Sequence, residues 1–321
     1  MDRREAIGLG VAGALLPRAA FGQEHETGYL PGDSQEFIGL WPGTPPGGDG
    51  IHLDLKVSDA VQPDGFHVRA VSQIQQPGFF VYRPVKPTGL GLLIIPGGGY
   101  ASEGGDRGGR EIAQYFSNLG IISFVLRYRL PGEGWAHREM VPLQDAQRAV
   151  RLIRQGEYGV SRLAAIGFSA GGHLSATLAT RSGMPTYTRV SGADGLSAKP
   201  DLAAHMYPVI TMGEGAHPGS RDKLLGENPS PEAVAAWSLE KHVTADTVPS
   251  FVCLATDDDV VPPAPNGLAF YSQLQDMKVP SQLNVFEKGG HGFSLHWSQG
   301  KPCGAWPQLF LAWAATHGFR V

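Results

Sequence analysis

Leu163-Ala164-Ala165-Ile166-Gly167-Phe168-Ser169-Ala170-Gly171-Gly172-His173 decides how the rest of the chain is read. The run 163–168 is apolar and short, the pattern of a buried strand. Gly-x-Ser-x-Gly follows, and Leu174 and Leu178 begin a helical period behind it. A serine between strand and helix sits on a strained turn with its hydroxyl raised above the sheet edge. Gly167 and Gly171 remove the Cβ atoms that would collide where strand and helix come close. The helix then aims its N-terminus at the serine, where backbone N–H groups and the helix dipole favour developing negative charge. With 44 glycines the chain can produce such a pattern in a loop by chance. The apolar run before it and the helical period after it argue against that origin.

Outward from this stretch, apolar strands alternate with amphipathic helices. Strands are predicted at 90–95, 121–128, 201–210, 250–255 and 282–287, and helices at 110–119, 143–154, 263–277 and 306–316. In the helix at 143–154, Leu143, Ala146, Val150 and Ile153 are expected inside, and Arg148, Arg151 and Arg154 outside. The runs 66–71 and 79–83 read as an antiparallel pair at a sheet edge. Strand–helix alternation with apolar strands implies an α/β architecture, a mostly parallel central sheet with helices on both faces. Residues 66–321 are expected to form this domain. Residues 23–65, rich in Gly and Pro, read as a leader wrapped over its surface. Residues 211–247 form the longest insert between strands, with a short helix over 231–237, and could flank the site.

Composition narrows the function. The 321 residues carry 42% hydrophobic content, enough for one large core, and a net charge of −4 without the basic run that a nucleic-acid surface needs. No apolar run reaches the ~18 residues of a membrane span. Residues 1–22 resemble an export signal: Arg3-Arg4, an apolar stretch over 8–16, and Ala19-Ala20 as small residues for cleavage. A periplasmic or secreted location follows as the expectation. The formal G-x-G-x-x-G at 8–13 has no strand before it, so it is not read as a dinucleotide site. Two cysteines allow at most one bridge, and Cys253, inside an apolar run, reads as a plain buried thiol.

An α/β sheet holds its ligand beyond the carboxyl ends of its strands, so polar residues just after each strand are the candidates. After 90–95 comes Pro96-Gly97-Gly98-Gly99-Tyr100, where backbone amides of Gly98 and Gly99, with that of Ala170, can face an oxyanion. After 250–255 comes Asp257-Asp258-Asp259. One of these can hold a histidine in its catalytic tautomer, and their spacing does not match a calcium loop. After 282–287 comes Gly289-Gly290-His291-Gly292, a histidine able to reach Ser169. His173 is expected to face the interior or a hydrogen-bond partner, and His296 to lie near the site. Tyr100, Trp135 and Trp297 are aromatic candidates for a rim that stacks on sugar faces, although each could equally pack its own loop. No metal and no cofactor are implied.

The order serine, acid, histidine is that of α/β-hydrolases. Pro96 to Tyr100, Val125-Leu126-Arg127-Tyr128-Arg129-Leu130, Pro142-Leu143-Gln144-Asp145-Ala146-Gln147-Arg148-Ala149, Gly167 to His173, His217-Pro218-Gly219-Ser220 and Glu287 to Phe293 resemble bacterial α/β-hydrolases of the acetylxylan-esterase-like group, related to hormone-sensitive-lipase-type esterases. The likeness covers residues 66–319. In lipase-type relatives a histidine precedes the three glycines; Pro96 stands there in this chain. Matching the group's Asp-Asp-Pro-Val-Val-Pro pattern assigns the triad acid to Asp258, with Asp257 as the alternative. The resemblance implies a serine carboxylic-ester hydrolase that removes short acyl groups, acetyl above all, from plant polysaccharide such as xylan. A general short-chain carboxylesterase and an exopeptidase of the same fold are the alternatives. An acylated carbohydrate or small ester is the expected partner.

Overall fold

The computed structural model describes residues 33–321, and the export-signal reading of residues 1–22 lies outside them. Strands are β1 (Phe37–Gly39), β2 (Lys56–Val61), β3 (His67–Ser72), β4 (Gly78–Tyr82), β5 (Leu90–Ile95), β6 (Glu103–Gly104), β7 (Ile122–Arg127), β8 (Arg162–Phe168), β9 (Leu202–Met206), β10 (Ser250–Ala255) and β11 (Ser281–Phe286). Helices are α1 (Glu111–Asn118), α2 (Val141–Gln155), α3 (Ala170–Arg181), α4 (Pro218–Leu225), α5 (Pro231–Trp237), α6 (Ala269–Asp276) and α7 (Trp306–Thr316). The main sheet has the order β1-β4-β7-β5-β8-β9-β10-β11. From β7 to β11 every neighbour pair is parallel; β4 is antiparallel to both β7 and β1.

The central strands read as unbroken apolar runs because both faces are covered. Side chains alternate across the sheet, so Leu93, Ile95, Leu163 and Ala165 pack with Leu143, Val150, Leu174 and Leu178 of α2 and α3. Leu92, Ile94, Ala164 and Ile166 pack on the other face with Ile112 and Phe116 of α1 and Phe310 and Trp313 of α7. Cys253 and Cys303 are both free and buried.

The structure corrects three expectations. First, 66–71 and 79–83 are not partners. β3 pairs with β2 and β6 in a separate three-stranded sheet, while β4 enters the main sheet. Gln73, at φ +57°, turns the chain between them, and the carboxylate of Glu133 accepts from the amides of Gln73 and Ile74 at that corner. Second, residues 33–61 do more than wrap the surface, since they supply β1 and β2. Third, Arg148 points inward rather than out. It is 3% exposed, paired with Asp194 at 2.7 Å and donating to the carbonyl of Leu40 at 2.9 Å.

What latches the N-terminal segment is a buried ion pair at the end of β7. Arg129 and Asp145 are both fully buried. The guanidinium donates to Asp145 through Nε at 2.9 Å and Nη2 at 2.8 Å, to Gln144 Oε1 at 3.0 Å and to the carbonyl of Pro46 at 2.7 Å. Trp41 Nε1 donates to Asp145 at 2.8 Å. The rings of Trp41 and Trp135 lie over the guanidinium at 5.6 and 5.0 Å. Removing one member leaves the other charge buried and unpaired, at a cost of about 3–5 kcal/mol. Asp145→Ala is therefore expected to lower the free energy of unfolding by about 3 kcal/mol or more in urea titrations. A loss below about 1 kcal/mol would refute the latch.

Candidate active site

Ser169 stands between β8 and α3 at φ +56°, ψ −117°. That strained backbone costs a side-chain-bearing residue about 1–3 kcal/mol and persists only when its surroundings over-determine it. They do so here. The Ser169 amide donates to the carbonyl of Met206 at the end of β9, and its carbonyl accepts from Val209 and His173. A Cβ on Gly171 would lie 2.2 Å from the carbonyl oxygen of Ile95 and 2.4 Å from that of Pro96. A Cβ on Gly167 would lie 2.0 Å from the carbonyl oxygen of Gly171.

His291 Nε2 accepts from Ser169 Oγ at 2.9 Å, and its Nδ1–H donates to Asp258 Oδ2 at 2.8 Å. The carboxylate can only accept, which fixes the proton on Nδ1 and leaves Nε2 free to act as a base. Asp258 is buried, and its other oxygen accepts from the amides of Val260 and Val261 at 3.0 and 2.9 Å. Asp257 is turned away from the imidazole. Its Oδ1 accepts from the amides of Gly289 and Gly290, both at 2.8 Å. Those bonds hold the Asp257 carboxyl below its usual range. Asp259 is exposed. Among the described residues, no three His, Cys, Asp or Glu side chains converge as metal ligands.

The histidine loop is clamped from further positions that sequence reasoning missed. Arg107 donates to the carbonyls of His291 and Gly292 at 3.0 and 3.1 Å. Glu111 accepts from the amides of Leu295 and His296. Tyr207 lays its ring edge-on to His291 with centroids 5.1 Å apart. No local signal marks Arg107, because its partners lie 184 and 185 residues further on.

Gly98, Gly99 and Tyr100 all have positive φ, at +133°, +64° and +59°. The loop therefore curls, and the carbonyl of Gly98 accepts from the amides of Ala101 and Ser102. The amides of Gly98, Gly99 and Ala170 donate to no acceptor among the described residues. With no histidine before the glycines, the bracing comes from Tyr128, whose hydroxyl donates to the carbonyl of Pro96 at 3.0 Å. The buried carboxyl of Glu103 accepts from the Tyr128 amide below it.

Two of the three aromatic candidates do not form a rim. Tyr100 is 1% exposed, and its hydroxyl donates to Nδ1 of His173 at 2.8 Å; the Nε2–H of that ring donates to the carbonyl of Trp237. Burial pushes the His173 imidazolium down to about 4, so the ring is neutral and interior. Trp135 is buried over Arg129. Trp297 is partly exposed, but Phe66 meets its ring edge-on and Arg107 lies over it at 4.8 Å. His296 is likewise engaged, stacked on Phe66 and paired with Asp64 at 2.9 Å. Each ring met a protein partner that sequence position could not reveal.

Asp257→Ala should free the histidine loop without unfolding the protein. Loss of its two hydrogen bonds predicts roughly tenfold faster amide exchange across residues 287–293. Hydrogen–deuterium exchange checks this, and unchanged protection there would assign Asp257 no role in the loop.

Among proteins of known sequence and structure, a BD-FAE family model matches residues 81–274. The chain is 36% identical over 213 residues to endo-1,4-beta-xylanase B of Butyrivibrio fibrisolvens, covering 64% of this chain and 32% of that protein. It is 29% identical over 223 residues to the acetylxylan esterase of Xylanibacter ruminicola, covering 67% and 43%. The chain thus spans about a third and less than half of these two relatives. The crystal structure of an acetyl ester-xyloside bifunctional hydrolase from Caldicellulosiruptor lactoaceticus superposes with a TM-score of 0.72 at 31% identity, over 90% of this chain and 98% of that one. A matched span of more than half the residues, joined to an α/β-hydrolase sheet, places this chain in the BD-FAE family.

Proposed function

We propose that the chain is a serine carboxylic-ester hydrolase that removes acetyl groups from xylan or a similar plant polysaccharide. The observation that carries this reading is the unbroken chain Ser169 Oγ, His291, Asp258 beside the unpaired amides of Gly98, Gly99 and Ala170. His291 takes the proton of Ser169 as its oxygen attacks the ester carbonyl. The three amides hold the oxyanion in place, and Asp258 stabilises the imidazolium. His291 returns the proton to the leaving alcohol, and an acyl-serine remains. Water, deprotonated by the same imidazole, then releases the acid.

The names of two relatives, an acetylxylan esterase and an acetyl ester-xyloside hydrolase, support acetyl and xylan as the substrate halves. The small acyl group also suits the loops. None of the loops around Ser169 supplies the long apolar run that a fatty-acyl tunnel would need.

Ser169→Ala is expected to fold normally and lose nearly all hydrolysis and all labelling by a fluorophosphonate probe. Asp258→Asn should lower kcat by as much as ~10⁴-fold, and Asp257→Asn far less. Retention of more than about one part in a hundred of kcat by Ser169→Ala would remove the nucleophile. In an ester panel, kcat/KM for acetyl should exceed that for octanoyl by at least about tenfold on one alcohol, about 1.4 kcal/mol of transition-state binding. Acetate should also be released from acetylated xylan. Preference for octanoyl with no such release would reassign the chain to the general lipolytic esterases.

A further inference from the structure

His217 lies beside the oxyanion loop and has no place in the reaction just derived. A methyl group placed on Gly99 would touch its ring at Cε1, 3.7 Å away, and Ser220 Oγ at 3.8 Å. The ring is half-buried and heads α4. Its Nδ1 accepts from the Ser220 amide at 3.2 Å and from the Ser220 hydroxyl at 2.8 Å. A nitrogen that accepts carries no proton, so the ring proton sits on Nε2. Burial, and after it the neighbouring His291, lower the His217 pKa. Neutrality suits the place, because protonating Nδ1 would destroy the cap and set a cation at the positive end of the helix.

The segment that carries the ring is anchored. Asn266 is fully buried; its Oδ1 accepts from the amides of Ile210 and Thr211, and its Nδ2 donates to the carbonyls of Gly215 and Pro262. His217 is thus tied to the loop that follows Asp258, and it interacts electrostatically with both Asp258 and His291. Its Nε2–H meets no acceptor among the described residues. The oxyanion already has three amides. The leaving oxygen must lie near His291, which protonates it. The Cε1 edge of the ring, next to Nε2, lies against the Gly99 position of the oxyanion loop, which puts a neutral donor at the border of the site. With the oxyanion served by the amides, the half of the ester left for it is the alcohol.

We propose that His217 is a specificity-determining residue that donates its Nε2–H to an oxygen neighbouring the ester on a sugar ring. The inference rests on the ester-hydrolase reading above. A polar donor left unpaired against an alcohol lacking that oxygen disfavours such substrates, and this is how a site rejects an analogue without a hydroxyl.

The test compares two acetates with six-membered-ring alcohols, monoacetylated methyl xylopyranoside and cyclohexyl acetate. The readout is the ratio of kcat/KM for the first over the second. His217→Asn keeps an acceptor where Nδ1 lies and removes the donor, whereas His217→Gln places a donor near Nε2. His217→Asn should lower the ratio by about tenfold or more, and His217→Gln should restore most of it. Equal losses on both esters, or an unchanged ratio, overturn the proposal. If His217→Asn does not fold, the ratio for His217→Gln against His217→Phe decides in the same way. A wild-type protein that cleaves both esters equally well also overturns it while leaving the hydrolase reading intact. One that cleaves neither ester removes that reading first, and the role of His217 with it.

Discussion

The site depends on one close backbone contact, between the first turn of α3 and the carbonyls that end β5. At Gly171 no side chain separates them; a single Cβ would fall 2.2 Å from an oxygen. That contact brings the Ala170 amide and the Gly98–Gly99 amides to one side of Ser169, although they come from neighbouring strands rather than one. It also sets the strained turn at Ser169, because β9 takes the Ser169 amide and the helix can go nowhere else. Preorganised donors cost no reorganisation when charge develops, and this packing is where that preorganisation is built.

Around this contact the structure uses buried polar groups as props. Tyr128 supports Pro96, Tyr100 leans on His173, and Glu103 holds the backbone of Tyr128. On the opposite side, Asp257, Arg107 and Glu111 fix the loop that carries His291. The two adjacent acids at the end of β10 divide the work: Asp258, facing inward, orients the imidazole, and Asp257, facing outward, grips the amides two and one residues before it.

The fold was legible because a doubly covered parallel sheet writes its strands as apolar runs. β5, β10 and α7 fall where such runs and a helical period place them. The meeting of Ser169, His291 and Asp258 was legible because strand ends position all three and each sits in a small-residue or acidic turn. What the sequence hid was long-range pairing. Arg148 looks like a surface residue until Asp194, 46 positions on, arrives to neutralise it. Tyr100 and Trp135 look like rim aromatics until His173 and Arg129 claim them. β1 and β2 are short or exposed strands inside Gly- and Pro-rich sequence, where periodicity gives little signal. His217 and Tyr128 stand within motifs quoted from the sequence, yet what their side chains touch depends on segments far from them in the chain.

The latch on Arg129 has a bearing on solubility. β1 covers the outer edge of β4, whose Phe79, Phe80 and Val81 would otherwise present an open, apolar ladder of backbone groups. It pairs with β4 directly, and the segment behind it is fastened further by Pro46 and Trp41, whose partners lie 83 and 104 positions later. During synthesis the fastening at Arg129 and Asp145 therefore comes last, and until then β1 holds β4 only by their short ladder and the contacts of Ser34 and Glu36, from which it can lift off. In that interval the free edge is a template for a strand from another chain, the geometry from which edge-to-edge aggregation starts.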